Sequence, residues 1–419
     1  MKALNNAEWD VCVGIDWADQ FHDYHTQDDK FGRFPSTPEG IDRFVRELTD
    51  RFPGKRLGIC LEQSRGSLIY ALRNYPQLVL FPINPSQLAH FRKALQPSGK
   101  SDDRSDAWLL TMFLQYHGGR LRAWVPEESE LRQLNAYVEQ RRHFVDQRTH
   151  HMQELEAALK KYFPLGLTIA DRLDSEMAAD FLTKWPSLRD VQRQKPEYIA
   201  KFFRRHNCRS QERIDERLLA IQQARHVTED PGIIEPLKML VKYLVQLIRH
   251  TKKIVQEYDD KIAKLVAVRE DASLFSSIRG VGPQLTPRLL VAFGTDRQRF
   301  RSAAEVQSYA GIAPVTKKSG KKNIVHRRLA APNFLRQTFH ELAEQMRKYS
   351  QWSKAYYDMQ RKRGKSHHVA VRALAFKWIR ILFAVWKERK PYDENQYIQQ
   401  LKKRKSEVID YLPKITATP

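Results

Sequence analysis

Ser101-Asp102-Asp103-Arg104-Ser105-Asp106-Ala107-Trp108-Leu109-Leu110 sets three carboxylates and an arginine directly before an apolar run of helical character. Positions three apart on a helix share a face, so Asp103 and Asp106 point the same way. Two carboxylates held side by side repel each other unless a cation lies between them. Oxygen-only ligands of that kind suit Mg²⁺ or Mn²⁺. An acidic first turn complementing a helix dipole accounts for the same residues without a metal. What decides between the two is whether other carboxylates converge on this stretch.

Upstream, two apolar runs end in acids. Val11-Cys12-Val13-Gly14-Ile15-Asp16 and Leu57-Gly58-Ile59-Cys60-Leu61-Glu62 read as buried strands with a carboxylate at the carboxyl end. Phe21 to Thr26 alternates apolar and polar residues and suits a hairpin with the first strand. Residues 78–83 give a further strand. Ser36 precedes Thr37-Pro38, where a hydroxyl cap followed by proline fits a helix over 40–48, and helices follow at 68–72, from Pro85 and from Asp103. Strands alternating with helices predict an α/β layer with a mixed sheet. Open α/β sheets place their sites at the carboxyl ends of strands, where Asp16 and Glu62 fall. Asp19, Asp23, Asp28 and Asp29 read as solvated loop charge, and His22 and His25 carry no role.

Gly14-Ile15-Asp16, Leu61-Glu62, Ile83-Asn84-Pro85 and Asp103-Arg104-Ser105-Asp106-Ala107 together resemble the RuvC-like domain of DEDD-type insertion-sequence transposases, within the ribonuclease H fold group. The resemblance implies that Asp16, Glu62, Asp103 and Asp106 are catalytic acids holding Mg²⁺, with Mn²⁺ as the alternative ion. A one-residue shift in register exchanges Asp103 for Asp102.

The whole chain has 419 residues, 42% apolar and 11% aromatic, with a formal net charge of +23. That composition argues against wholesale disorder. A basic excess of this size serves a polyanion, nucleic acid first, with binding that weakens steeply in salt. Cys12, Cys60 and Cys208 form no CxxC pair, which excludes a zinc site and fits a reducing cytosol. No apolar stretch reaches transmembrane length and no signal-peptide pattern opens the chain, so a cytoplasmic, nucleoid-associated protein with no membrane partner is expected.

Glu127 to Lys161 has apolar positions at helical spacing, interrupted by Arg141 and Arg148. Leu237, Val241, Leu244, Ile248, Thr251, Val255, Tyr258, Ile262 and Leu265 form a heptad stripe. Its partner is either the 131–159 helix of the same chain, as an antiparallel hairpin, or a second subunit. Between them, Lys201-Phe202-Phe203-Arg204-Arg205-His206 suits either a nucleic-acid surface or an amphipathic helix.

Further on, Ile278-Arg279-Gly280-Val281-Gly282 resembles the hairpin of a helix-hairpin-helix element, where glycines let backbone N–H groups approach a phosphate. Gly280 and Gly282 are therefore candidates for DNA-backbone contact. Lys317-Lys318-Ser319-Gly320-Lys321-Lys322 places a serine among four lysines. Cations beside a hydroxyl stabilise the charge that develops in phosphoryl transfer. A basic loop gripping phosphates, with Ser319 a turn residue, is the plainer account. The order Ile278–Gly282, Phe300, Tyr309-Ala310-Gly311-Ile312, Pro314 and Lys318-Ser319-Gly320 resembles the second domain of the same transposase family. By that resemblance Ser319 is the nucleophile. Ala331-Pro332-Asn333 stands where the family has a glycine-asparagine pair.

Four segments are expected: a RuvC-like metal-binding domain over 1–125, a helical and coiled-coil connector with an oligomerisation role over 126–270, a mainly α serine-bearing transposase domain over 271–390, and a flexible charged tail over 391–419. The resemblance implies Mg-dependent DNA strand cleavage and rejoining through a phosphoserine ester. Its partners would be double-stranded DNA of element ends and target, a structured noncoding guide RNA, and further copies of the chain in a dimer or tetramer. A ribonuclease H-like nuclease or Holliday-junction resolvase using water is the alternative. A non-catalytic nucleic-acid-binding scaffold is another.

Overall fold

Among the described residues, five strands form one sheet: β1 (Val11–Asp16), β2 (Phe21–Thr26), β3 (Phe31–Pro35), β4 (Leu57–Leu61) and β5 (Leu78–Pro82), in the order β3-β2-β1-β4-β5. The structure is a computed structural model and describes residues 8–62, 66–95, 103–319, 322–326, 328 and 331–413. β2 runs antiparallel to β1 and to β3, while β1, β4 and β5 are parallel. The sheet is mixed because a tight hairpin joins its first strands and helical crossovers join the rest.

Four helices cover it: α1 (Pro38–Arg51), α2 (Ser67–Leu72), α3 (Pro85–Leu95) and α4 (Asp103–His117). Side chains alternate along a strand, and the two faces separate accordingly. Val11, Val13, Ile15, Leu57, Ile59 and Leu61 pack with Phe44 and Leu48 of α1 and Leu68 of α2. Cys12 and Cys60 pack on the other face with Leu109, Leu110 and Leu114 of α4. The cap of α1 is Thr37, directly before the proline at the helix start, and its hydroxyl accepts from the Gly40 N–H at 3.1 Å.

The chain divides into two compact units at Pro126/Glu127. In the second, α5 (Ser129–Tyr162) leads to α6 to α10 (Pro164–Ala170, Glu176–Lys184, Leu188–Gln192, Pro196–Arg205, Gln211–Gln223) and then to α11 (Pro231–Ala267). The heptad stripe of α11 is answered within the chain. Arg141 of α5 grips Asp259 through two hydrogen bonds of 2.6 and 3.0 Å, and the Tyr258 hydroxyl donates to Gln140 at 2.9 Å. One end of this antiparallel pair is fixed by a core of Leu155, Leu159, Phe181, Trp185, Phe203 and Leu244. There Phe202 and Phe203 are buried while Lys201, Arg204 and Arg205 face solvent, so that basic segment is an amphipathic helix.

At the other end, Leu131, Leu134, Val138 and Ile262 join the C-terminal core. That part contains α12 (Ala272–Ser276), α13 (Thr286–Phe293), α14 (Ala303–Tyr309), the ribbon β6 (Val315–Ser319) and β7 (Lys322–His326), and α15 to α18 (Asn333–Tyr349, Gln351–Lys362, His367–Glu388, Glu394–Lys403). Residues 391–412 are not a loose tail. Leu401 and Val408 are buried in the core, and the Trp352 indole N–H donates to the Tyr392 hydroxyl at 2.7 Å. Their apolar residues sit at helical spacing between the charges, and burial of that stripe outweighs the local charge. No helix among the described residues is long and apolar enough to cross a membrane.

Candidate active site

Asp16 is the last residue of β1 and Glu62 directly follows β4, and both are half-buried. The strands are parallel neighbours in the register Ile15↔Leu61, so the two acids leave the sheet side by side at its carboxyl edge. Period-two alternation from Cys12 and Gly14, and from Gly58 and Cys60, carries both to the face covered by α4.

Gly14 sets how closely α4 approaches. Its N–H donates to Thr111 Oγ1 at 2.8 Å, and the Thr111 hydroxyl lies 2.9 Å from the His25 carbonyl and 3.1 Å from that of Ala107. A Cβ at position 14 would lie 2.1 Å from the Ala107 oxygen. Only glycine permits this contact. It brings the first turn of α4, where Asp103 and Asp106 stand, over the end of β1.

Asp106 is about one-fifth exposed and forms an ion pair with Arg92 of α3. Burial, and then the Asp106 charge, push the Glu62 carboxyl above its ordinary value of 4.5, while Arg92 opposes the shift. Glu62, Asp106 and Arg92 therefore share one electrostatic neighbourhood. Asp102 and the Asp103 side chain lie outside the described residues. Among the described residues no group of three or more His, Cys, Asp or Glu is drawn together tightly enough to hold a metal ion. The candidate donors suit a hard divalent cation in kind, because they are all carboxylate oxygens, and burial together with the Asp106 charge disfavours a bare negative charge on Glu62.

Two features escaped the sequence. Asp23, expected to be solvated, is 5% exposed, stands opposite Asp16 in the β1–β2 register, and is held by Arg33 at 3.0 and 2.8 Å. Burial on β2 calls for that partner. His22 and His25 are buried beside it. Arg92 had no local signal at all, since its partner lies fourteen residues on.

In the second unit, Ser319 is exposed at the end of β6 and pairs with Lys322 across the tip of the ribbon. The segment expected as a loop is thus a hairpin, while Gly320 and Lys321 lie outside the described residues, as do the side chains of Lys317, Lys318 and Lys322. Gly311 ends α14 with φ +68°, a left-handed conformation suited to glycine. Gly280 has φ +94°, and a Cβ there would meet Tyr349 at 2.7 Å, whereas one on Gly282 would meet nothing within 4 Å. Val281 between them is buried, so the turn is anchored by its middle residue.

Residues 13–164 match a model of DEDD-type IS110 transposases described as "Transposase", and residues 272–358 match one described as "Transposase IS116/IS110/IS902 family". The first span contains Asp16, Glu62, Asp103 and Asp106; the second contains Gly280, Gly282 and Ser319. The chain is an enzyme of the DNA transposition and recombination class. More particularly, it carries IS110/IS116-family transposase domains. It is 28% identical over 405 residues to "Mini-circle putative transposase for IS117" of Streptomyces coelicolor, covering 92% of this chain and 96% of that protein. It is also 30% identical over 171 residues to the pilin gene-inverting protein of Moraxella bovis, covering 38% of this chain and 52% of that one. A third relative, the IS900 uncharacterized 42 kDa protein of Mycobacterium paratuberculosis, is 26% identical over 46% of this chain and 48% of its own length.

Proposed function

We propose that this protein moves an insertion sequence by cutting and rejoining DNA through a phosphoserine ester at Ser319, with Asp16, Glu62, Asp103 and Asp106 as the metal-holding acids of a RuvC-like domain. The observation that carries this reading is the pair of acids at neighbouring parallel strand ends, Asp16 and Glu62, on the face to which Gly14 binds α4. When bound, Mg²⁺ or Mn²⁺ would polarise the scissile phosphate and stabilise the attacking and leaving oxygens.

Ser319 Oγ passes its proton to a base and bonds to phosphorus, one bridging P–O bond breaks, and the departing sugar oxygen takes up a proton to become a hydroxyl. The serine ester retains the bond energy, so a hydroxyl of another strand reverses the step without ATP. Lys317, Lys318, Lys321 and Lys322 neutralise phosphates around the ribbon tip, and the Gly280–Gly282 turn brings backbone close to the duplex. The net charge of +23 supports binding to DNA and to a structured guide RNA encoded with the element. Exchange of two strands at two ends requires several serines, so the working form is a dimer or tetramer, acting in the cytoplasm on the nucleoid.

The test is incubation with element-end DNA, target DNA, RNA and Mg²⁺, followed by a denaturing gel. A protein–DNA adduct that disappears in Ser319→Ala and in Asp16→Ala is the expected result. Cleavage that survives Ser319→Ala but not Asp16→Ala would show hydrolysis by water and sink the covalent mechanism.

A further inference from the structure

Where the root of the α5–α11 pair meets the 277–285 turn, a cleft of about 230 Å³ is lined by Arg141, Arg142, Arg148, Arg288, Asp259 and Glu341. At about 30 Å³ per water, it has room for a tetrahedral anion and several waters. Arg141 and Arg148, seven residues and about two turns apart, project from one face of α5, and Arg142 flanks Arg141 on the same cleft wall.

The partners among the described residues leave this cleft cationic. Arg141 takes both oxygens of Asp259, which also accepts from Gln284 at 3.2 Å. Glu341 is shared between Arg142, at 2.9 Å, and Arg288. The second acid near Arg142 is Asp146, an exposed neighbour on its own helix that offsets little of the charge. Arg148 has no ion pair among the described residues. Four guanidinium groups thus face two carboxylates.

A second observation is independent of that count. Arg288 is 8% exposed; its Nε donates to Thr338 at 3.0 Å and its Nη1 bonds Glu341, but its Nη2 has no hydrogen-bond partner. Arg142 Nε and Arg148 Nε are also buried and unpaired. Buried donors left unmade are costly, and a surplus of buried cations more so. Guanidinium groups in a fixed fork match phosphate oxygens.

We infer that this cleft is a phosphate site that grips the backbone of a DNA duplex lying along the 277–285 turn. The assignment rests on the proposed DNA-handling function. Arg148 is its probe, because it alone of the four holds no acid and its loss leaves no partner stranded.

The experiment measures binding of full-length protein to a short mixed-sequence duplex as a function of salt, for wild type, Arg148→Gln and the charge-matched control Lys253→Gln, an exposed position on α11. Thermal melts establish that the variants fold. Arg148→Gln should lower the slope of log affinity against log salt by about one unit, and Lys253→Gln should leave it at the wild-type value. Wild-type protein that fails to bind the duplex removes the underlying DNA function. Wild-type binding with an unchanged slope in Arg148→Gln overturns the cleft alone, as does an equal change in the control. Inorganic phosphate that stabilises wild type but not Arg148→Gln, with the duplex slope unaltered, assigns the cleft to a free anion and refutes the backbone contact. A slope change with an RNA stem but not with the duplex refutes DNA as the ligand.

Discussion

Replacing Gly14 by alanine tests the packing that brings the acids together. The new Cβ would lie 2.1 Å from the Ala107 oxygen, 2.5 Å from the Thr111 nitrogen and 2.8 Å from Leu110 Cβ. Two of these are backbone atoms of α4 and cannot rotate away. Restoring an ordinary 3.4 Å contact to the first of them requires a separation of about 1.3 Å (3.4 − 2.1). Movement on that scale breaks the 2.8 Å bond from Gly14 N–H to Thr111. An unsatisfied buried amide costs about 1–3 kcal/mol and overpacking about 1–3 kcal/mol, roughly 2–6 kcal/mol together. In a unit of this size each kcal/mol lowers Tm by roughly 3–6 °C, so the first unit should melt roughly 6 °C or more below wild type. Calorimetry of the full chain measures this, with and without Mg²⁺. Any stabilisation by Mg²⁺ should weaken in the variant, since the helix bearing Asp103 and Asp106 has shifted. Gly119→Ala is the control, because a Cβ there meets nothing within 4 Å. It should stay within about 0.5 kcal/mol of wild type. A Gly14→Ala protein that melts with wild type and gains the same stability from Mg²⁺ would refute the reasoning.

Arg92→Gln removes the cation paired with Asp106, so the metal-free first unit should lose stability while Mn²⁺ binds more tightly by titration calorimetry; unchanged or weaker affinity would mean that Arg92 does not compete with the ion. Burial holds His22 below the ordinary histidine value of 6.5, with the Asp23 charge opposing. The unfolded chain therefore binds a proton that the folded one refuses, and stability should fall as pH drops below about 6.5 toward the lowered folded value. Unfolding curves against pH should show that dependence flattened in His22→Phe. Deleting residues 391–419 strips Leu401 and Val408 from the C-terminal core, at about 1.5–3 kcal/mol each. The truncated chain should melt lower and bind a hydrophobic dye, whereas a loose tail could be removed without either effect. Finally, mixing Asp16→Ala with Ser319→Ala protein should restore adduct formation if acids and serine act across subunits, as read on the denaturing gel.

The parts legible in the sequence were those written in local period. Two apolar runs of strand length, each ending in an acid, announced two strands of the sheet and the place of those acids at its carboxyl edge, and the heptad stripe announced α11. Pairings across long stretches of chain carried no such signature. Arg92 with Asp106 and Arg33 with Asp23 look like ordinary surface charge until the fold buries one partner. The ribbon bearing Ser319 carries no strand signal in its sequence, because its lysines mask a period of two. The α11 stripe could name its repeat but not its partner, since heptad geometry is the same within a chain and between chains.

Gly14 shows why a motif can be recognised before its reason is known. In Gly-Ile-Asp the acid supplies chemistry, and the isoleucine, fully buried against α1 and α2, fixes which face of β1 the acid takes. The glycine supplies distance. Two residues before Asp16 on the same face, it lets a helix backbone approach where any side chain would hold it off. The separation between Asp16 and the acids of α4 is therefore set at position 14, by an atom that is missing. A substitution at Asp16 would remove one of the proposed ligands, whereas one at Gly14 would move the helix that carries two others. On this geometry a glycine with no functional group constrains the site more broadly than any single carboxylate in it.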